Sequence, residues 1–150
     1  MKSVLVCVCV LLGLVASTPL PAAVVPEQIR SDASALAPIV RTADLPPAVQ
    51  KKLLMADPGK PWNATDSIID PTLPGRRLIV AGCDARLCVV HYERGGIAFS
   101  YRILAMRLYG DAWTPVWSVY GTKSLGNFAG LRAYLAGTAS AVFWPAGDDY

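Results

Sequence analysis

RRLIVAGCDARLCVVHYERGGIAFSYRILAMRLYGDAWTPVWSVY, residues 76–120, decides the fold. It reads as four apolar-rich strands, Arg76–Cys83, Leu87–Arg94, Ala98–Tyr109 and Ala112–Tyr120. Asp84-Ala85-Arg86-Leu87 has hairpin length, and Gly95-Gly96 and Gly110-Asp111 are tight-turn pairs. Short connections of this chemistry join antiparallel neighbours, so the stretch predicts a meander. In the third strand Phe99, Tyr101 and Ile103 alternate with Ser100 and Arg102; in the fourth, Trp113, Trp117 and Val119 alternate with Thr114 and Ser118. Alternation of this kind predicts one covered face and one wet face.

The first hairpin places Cys83 opposite Cys88. Facing Cα atoms in an antiparallel pair lie ~4.5–5.5 Å apart, within the span of a disulfide. The C-x4-C spacing is not the C-x-x-C of a redox motif, and His91 is the only histidine that could join a metal set. A structural disulfide is therefore expected, with no metal and no cofactor. The same register sets His91 opposite Val80 and Glu93 opposite Leu78. Tyr92 and Arg94 then share the face of the disulfide.

Outward from the sheet, Ser124–Ala136 carries Leu125, Phe128, Leu131 and Leu135 at spacings of three and four. That stripe predicts a helix packed on one sheet face, capped by Ser124 or Asn127 and ended by Gly137. Before the sheet, Asp44 and the pair Pro46-Pro47 predict the start of a short helix running to Ala56 and stopped by Asp57-Pro58-Gly59. Lys60–Gly75 is loop, with Trp62 as its anchor. Asn63-Ala64-Thr65 matches a glycosylation sequon and is read as a chance match. The expected fold is α+β: a four-stranded antiparallel meander with one helix before it and one C-terminal helix on one face.

Lys2, the apolar run Val4–Val15 and the small residues Ala16–Ala23 have the order of a secretory signal. The run is too short for the ~20 residues that span a bilayer. Cys7 and Cys9 fall inside it and read as apolar filler. The expected organisation is a signal peptide over 1–23, a flexible arm over 24–43, one domain over 44–145 and a frayed tail over 146–150. Export to an oxidising compartment suits the disulfide. It predicts a periplasmic or secreted protein with no stable membrane insertion after cleavage. The net charge of +3 and the absence of any basic run exclude nucleic acid as the expected partner.

His91-Tyr92-Glu93-Arg94-Gly95-Gly96 holds the most distinctive chemistry. His91 and Glu93, two apart on a strand, share a face and could act as an acid–base pair beside a glycine turn. The competing reading makes His91 a semi-buried strand residue and Glu93 the partner of an arginine such as Arg102. Ser100 lacks the Gly-x-Ser-x-Gly surroundings of a nucleophile. Asp66, Asp70, Asp84 and Asp111 read as turn residues. The aromatic residues Tyr101, Tyr109, Trp113, Trp117 and Tyr120 could form a binding face or pack beneath the last helix.

The apolar strand before Cys83, the stretch Val90-His91-Tyr92-Glu93-Arg94-Gly95-Gly96-Ile97-Ala98 and the closing Leu131-Arg132-Ala133 resemble a group of small uncharacterised exported proteins of Gram-negative bacteria. The resemblance covers under half of the chain. It implies a periplasmic location and transfers no catalytic residue.

The leading expectation is a non-enzymatic binding or inhibitor-type protein whose partner is another protein or a cell-envelope component. Tyr92, Glu93, Arg94, Asp84 and Arg86 are the contact candidates. The alternatives are a small hydrolase using His91 and Glu93, and a carrier of a small apolar ligand.

Overall fold

The computed structural model describes residues 21–66 and 70–147. The segment read as a signal, apart from residues 21–23, lies outside the described residues, as do Cys7, Cys9 and residues 148–150. Among the described residues no helix is long and apolar enough to cross a membrane.

Six strands form one antiparallel sheet in sequence order: β1 (Ala37–Ile39), β2 (Arg76–Cys83), β3 (Leu87–Arg94), β4 (Ser100–Tyr109), β5 (Ala112–Gly121) and β6 (Phe143–Pro145). Among the described residues three α-helices accompany them: α1 (Glu27–Asp32), α2 (Pro47–Leu53) and α3 (Phe128–Leu135). This corrects the expected four-stranded meander with a single helix before it. The α+β class stands, but residues 24–43 contain α1 and β1, and a sixth strand follows α3. Each added strand is three residues long and contains a proline, so neither carries a readable alternation. They are strands because β2 and β5 offer them open edges to bond.

The central hairpins follow the turn chemistry. Asp84 Oδ1 accepts the N–H groups of Arg86 and Leu87, both at 2.7 Å, and closes the β2–β3 turn. Cys83 pairs with Cys88 in register and the two form a disulfide. Gly110 adopts φ 59° in the β4–β5 turn, a left-handed conformation that glycine takes without a Cβ clash.

Both sheet faces are covered, not one. On the first, Val80, Val89, Ile103, Ala105 and Val119 pack with Ile29 of α1 and Leu131, Tyr134 and Leu135 of α3. On the second, Leu78, Ala81, Val90, Tyr92, Leu104 and Met106 pack with Val49 and Leu53 of α2. Two bulges explain why simple alternation misplaces side chains. Ile79 is an extra residue in β2, so Leu78 pairs with Tyr92 and Val80 with His91. A second irregularity leaves Val116 without a counterpart: Ala105 pairs with Trp117, but Met106 pairs with Pro115. An extra residue flips everything beyond it to the opposite face. Trp113 therefore packs on the α2 side and Trp117 on the α3 side, although the four-residue spacing placed them together.

The start of α2 differs from expectation, whereas the ends of α3 agree with it. Asp44 does not cap α2; it sits in a 3-10 turn and holds Arg41 through both carboxylate oxygens at 2.8 Å. Asn127 caps α3, accepting the Gly130 N–H at 3.0 Å, and Gly137 at φ 76° follows its end. Phe128 approaches the sheet so closely that a Cβ on Gly82 would lie 2.6 Å from its ring. At that point no ligand fits between α3 and β2.

Candidate functional site

His91 lies on the α1/α3 face of β3 with no solvent exposure. Its Nδ1 is 2.8 Å from the Arg102 carbonyl oxygen, and its Nε2 accepts the Leu125 N–H at 3.1 Å. A carbonyl can only accept and an amide can only donate. The ring is therefore the neutral tautomer with its proton on Nδ1. Burial lowers the pKa from 6.5 to about 4, outweighing the Arg102 carbonyl and the charge of Glu93, which both favour the cation. Tyr101 and Phe143 flank the ring, each at 6.3 Å between centroids.

Glu93 faces Arg77, not Leu78, because of the bulge at Ile79. The two side chains form an ion pair, which raises the Arg77 pKa. The partner of Glu93 is thus an arginine on a neighbouring strand, but on β2 rather than the Arg102 considered from the sequence. The Arg77 guanidinium lies 5.2 Å from the centre of the Trp62 ring.

The remaining sequence candidates scatter. Tyr92 is fully buried against the α2 side and presents no surface to a partner, which corrects its place among the contact residues. Arg94 is half-buried at the end of β3, opposite Ser100. Ser100 is buried on the face opposite His91 and receives the Arg102 Nε at 3.2 Å. Asp84 is occupied with its own turn, and Arg86 is exposed near the Asp32–Arg107 ion pair. Asp84 and Arg86 stand at the opposite end of β3 from Glu93 and Arg94. Seven residues of strand separate the ends by roughly 23 Å, so the five candidates do not form one patch.

What the structure does assemble is the β3–β4 loop and its surroundings. Ile97, at the tip, is 95% exposed, and Phe99 is 46% exposed. Phe99 meets the Tyr101 ring edge-on at 5.2 Å and the Trp62 ring at 6.0 Å. The base of the loop is clamped: the Gly95 N–H donates to the Gly75 carbonyl at 3.0 Å, and Gly95 abuts the Asn63 backbone. Asn63 is itself buried, and its amide donates to the Asp70 and Leu73 carbonyls at 2.7 and 2.9 Å. The sequon asparagine is thus the organiser of the 60–75 loop. Beside this projection runs a groove of about 320 Å³ lined by residues that include Gly59, Arg77, Glu93, Tyr101, Ser124 and Gly126.

Ile97, Phe99, Ser124 and Leu125 were not singled out from the sequence as site residues. An isoleucine immediately after a Gly-Gly turn was the available signal for the first two. Leu125 and Ser124 meet His91 across 34 and 33 residues, and no spacing announces that contact. Among the described residues no three His, Cys, Asp or Glu side chains gather to hold a metal ion.

No protein-family model matches the chain, nor does any curated protein or solved structure.

Proposed function

We propose that this is an exported, non-enzymatic binding protein that docks on another protein through its β3–β4 loop and the groove beside it. The observation that carries the reading is Ile97, an isoleucine held almost fully in solvent at the tip of a loop whose base is clamped. A large apolar side chain in that position has no folding role, and Phe99 beside it meets Trp62 and Tyr101, residue types enriched among interface anchors. A clamped base also limits the ordering cost of association. Export rests on the order of residues 1–23.

The His91 arrangement supports the non-enzymatic side. Both ring nitrogens are engaged by the backbone, and a pKa near 4 makes the ring a poor base at neutral pH. Glu93 is held by Arg77.

The test is capture of partners from an envelope extract by the wild-type protein and by Ile97→Asp, followed by calorimetry with the purified partner. An anchor residue predicts at least about 30-fold weaker binding for the variant, the equivalent of ~2 kcal/mol. Equal affinity for both proteins would refute the docking surface.

A further inference from the structure

We propose that His91 is an acid-released latch: its protonation frees the 122–127 connection and opens the wall of the groove beside the β3–β4 loop. The functional consequence rests on the docking reading above; the latch itself does not.

The geometry is asymmetric in a useful way. Residues 122–127 join β5 to α3 and belong to no helix or strand. Two contacts tie this connection to the sheet side of the molecule: the backbone Leu125 N–H on His91 Nε2, and the Leu125 side chain packed against the core on the α1/α3 face. Asn127 N donates to the Leu125 carbonyl at 2.9 Å, so the position of Leu125 is passed directly to the cap of α3. Ser124 and Gly126, the residues on either side, line the groove. One imidazole nitrogen, together with the Leu125 side chain, therefore holds one side of the proposed docking surface.

A protonated imidazole donates from both nitrogens. The Arg102 carbonyl would keep its bond from Nδ1, whereas Nε2–H would point at the Leu125 N–H, donor against donor. The connection must then move. An alternative acceptor is already present, because Ser124 Oγ stands 3.5 Å from Nε2 and currently accepts the Gly126 N–H at 3.0 Å. A hydroxyl oxygen with two lone pairs can accept a hydrogen bond from the new Nε2–H while the Leu125 amide turns to solvent. The latch thus has a closed state, with Nε2 accepting from Leu125, and an open state, with Nε2 donating to Ser124.

The neighbours set how hard the latch is to open. Glu93, two residues along the same strand face, favours the cation, but Arg77 pairs with that carboxylate. Tyr101 and Ile103 from β4, Phe143 from β6 and Val80 opposite on β2 neighbour the ring without charge. Arg102 contributes only its carbonyl oxygen, since its side chain lies over Tyr120 on the other face. Lys123, on the connection itself, is exposed. Opening therefore requires acid well below neutral.

The chain has a single histidine, so its ring can be followed without ambiguity. Two measurements on the full protein test the latch. The first is the ¹⁵N NMR titration of the imidazole, expected to report the Nδ1–H tautomer at pH 7 and a midpoint well below that of free imidazole. The second is amide hydrogen exchange between pH 7 and pH 4, corrected for intrinsic rates. Protection over 122–128 should fall at least about tenfold while β3 and β4 stay protected. In His91→Gln, whose amide oxygen can accept the Leu125 N–H but does not titrate, protection over 122–128 should not change with pH.

Protection that holds through the ring's titration, an Nε2–H tautomer at pH 7, or loss of protection across the whole sheet at once would each overturn the latch. Should the glutamine variant fail to fold, the wild-type titration and exchange profile decide alone. A latch that opens as described, combined with full affinity of Ile97→Asp for the captured partner, would retain the switch and refute only the docking surface.

Discussion

Gly95 and Asn63 touch backbone to backbone: a Cβ placed on Gly95 would sit 2.2 Å from the Asn63 carbonyl oxygen and 2.8 Å from the Ala64 carbonyl carbon. Neither atom belongs to a flexible side chain, so the contact cannot be relieved by a rotamer change. It joins the 60–75 loop to the β3–β4 turn and holds the exposed tip in place.

The first prediction follows directly. Gly95→Ala should destabilise the protein by about 2–3 kcal/mol, the range for overpacking at a rigid site. Gly96, with φ 122° and nothing within 4 Å of a Cβ, should cost only about 1 kcal/mol on the same change, from backbone strain alone. Urea denaturation of the two variants should rank them in that order; equal midpoints would contradict the contact.

The Arg77–Glu93 pair is partly shielded, with side-chain exposures of 29% and 12%. A double-mutant cycle using Arg77→Met and Glu93→Gln should give a coupling of about 1 kcal/mol, near the upper end for pairs in contact with solvent. A coupling of zero would mean that the bulge at Ile79 does not bring these two residues together in solution.

Acid should weaken the fold through His91 before it reaches Asp32, Asp44, Asp57 and Asp70. The folded ring has its pKa lowered to about 4 against 6.5 for an unperturbed histidine. Between these values the unfolded chain binds a proton that the folded chain does not, so stability falls as pH falls. The full contribution is present above pH 6.5 and is lost on approach to pH 4, roughly 3 kcal/mol in all. Asp32, Asp44, Asp57 and Asp70 have pKa values lowered below 3.8 and titrate outside this window. Urea midpoints measured from pH 7 to pH 4 should drop for the wild type and stay level for His91→Gln. A level wild-type curve would show that the ring is not buried as a neutral acceptor.

Tyr134 presents the opposite situation, a buried polar group whose hydroxyl meets no hydrogen-bond partner among the described residues. It packs between Trp117 and Phe143, and burial pushes its pKa up to about 12. Tyr134→Phe removes a desolvated hydroxyl and keeps the ring contacts. It should leave stability unchanged or raise it by about 1 kcal/mol. A loss of more than about 1 kcal/mol on thermal or urea unfolding would point to a hydrogen bond made in solution.

Much of the sheet is legible in the sequence. The β2–β3 turn, the Cys83–Cys88 register and the stripe of α3 all rest on residues close in sequence, where turn chemistry and periodicity operate. The covered second face was not legible, because the polar residues Ser100, Arg102, Thr114 and Ser118 masked the apolar Leu104, Met106 and Leu78 beside them. The site fared less well. Glu93 and His91 read either as an acid–base pair or as an arginine's ion-pair partner beside a semi-buried strand histidine, and the structure has the second arrangement with Arg77 in place of Arg102. They are on one face but serve two separate partners, Arg77 and the backbone of Leu125.

By itself the sequence determined the strand run from 76 to 120, its antiparallel hairpins, the disulfide and the last helix, since these depend on alternation, turn residues and spacing within a few positions. Only the tertiary structure decided the two bulges, the edge strands β1 and β6, and the contact that closes on His91. A bulge costs one residue anywhere along a strand, and a three-residue edge strand needs only an open neighbour. The amide that meets His91 could belong to any residue but proline. Backbone groups carry no residue-type signature, so their pairing across 34 positions is written only in the packed molecule.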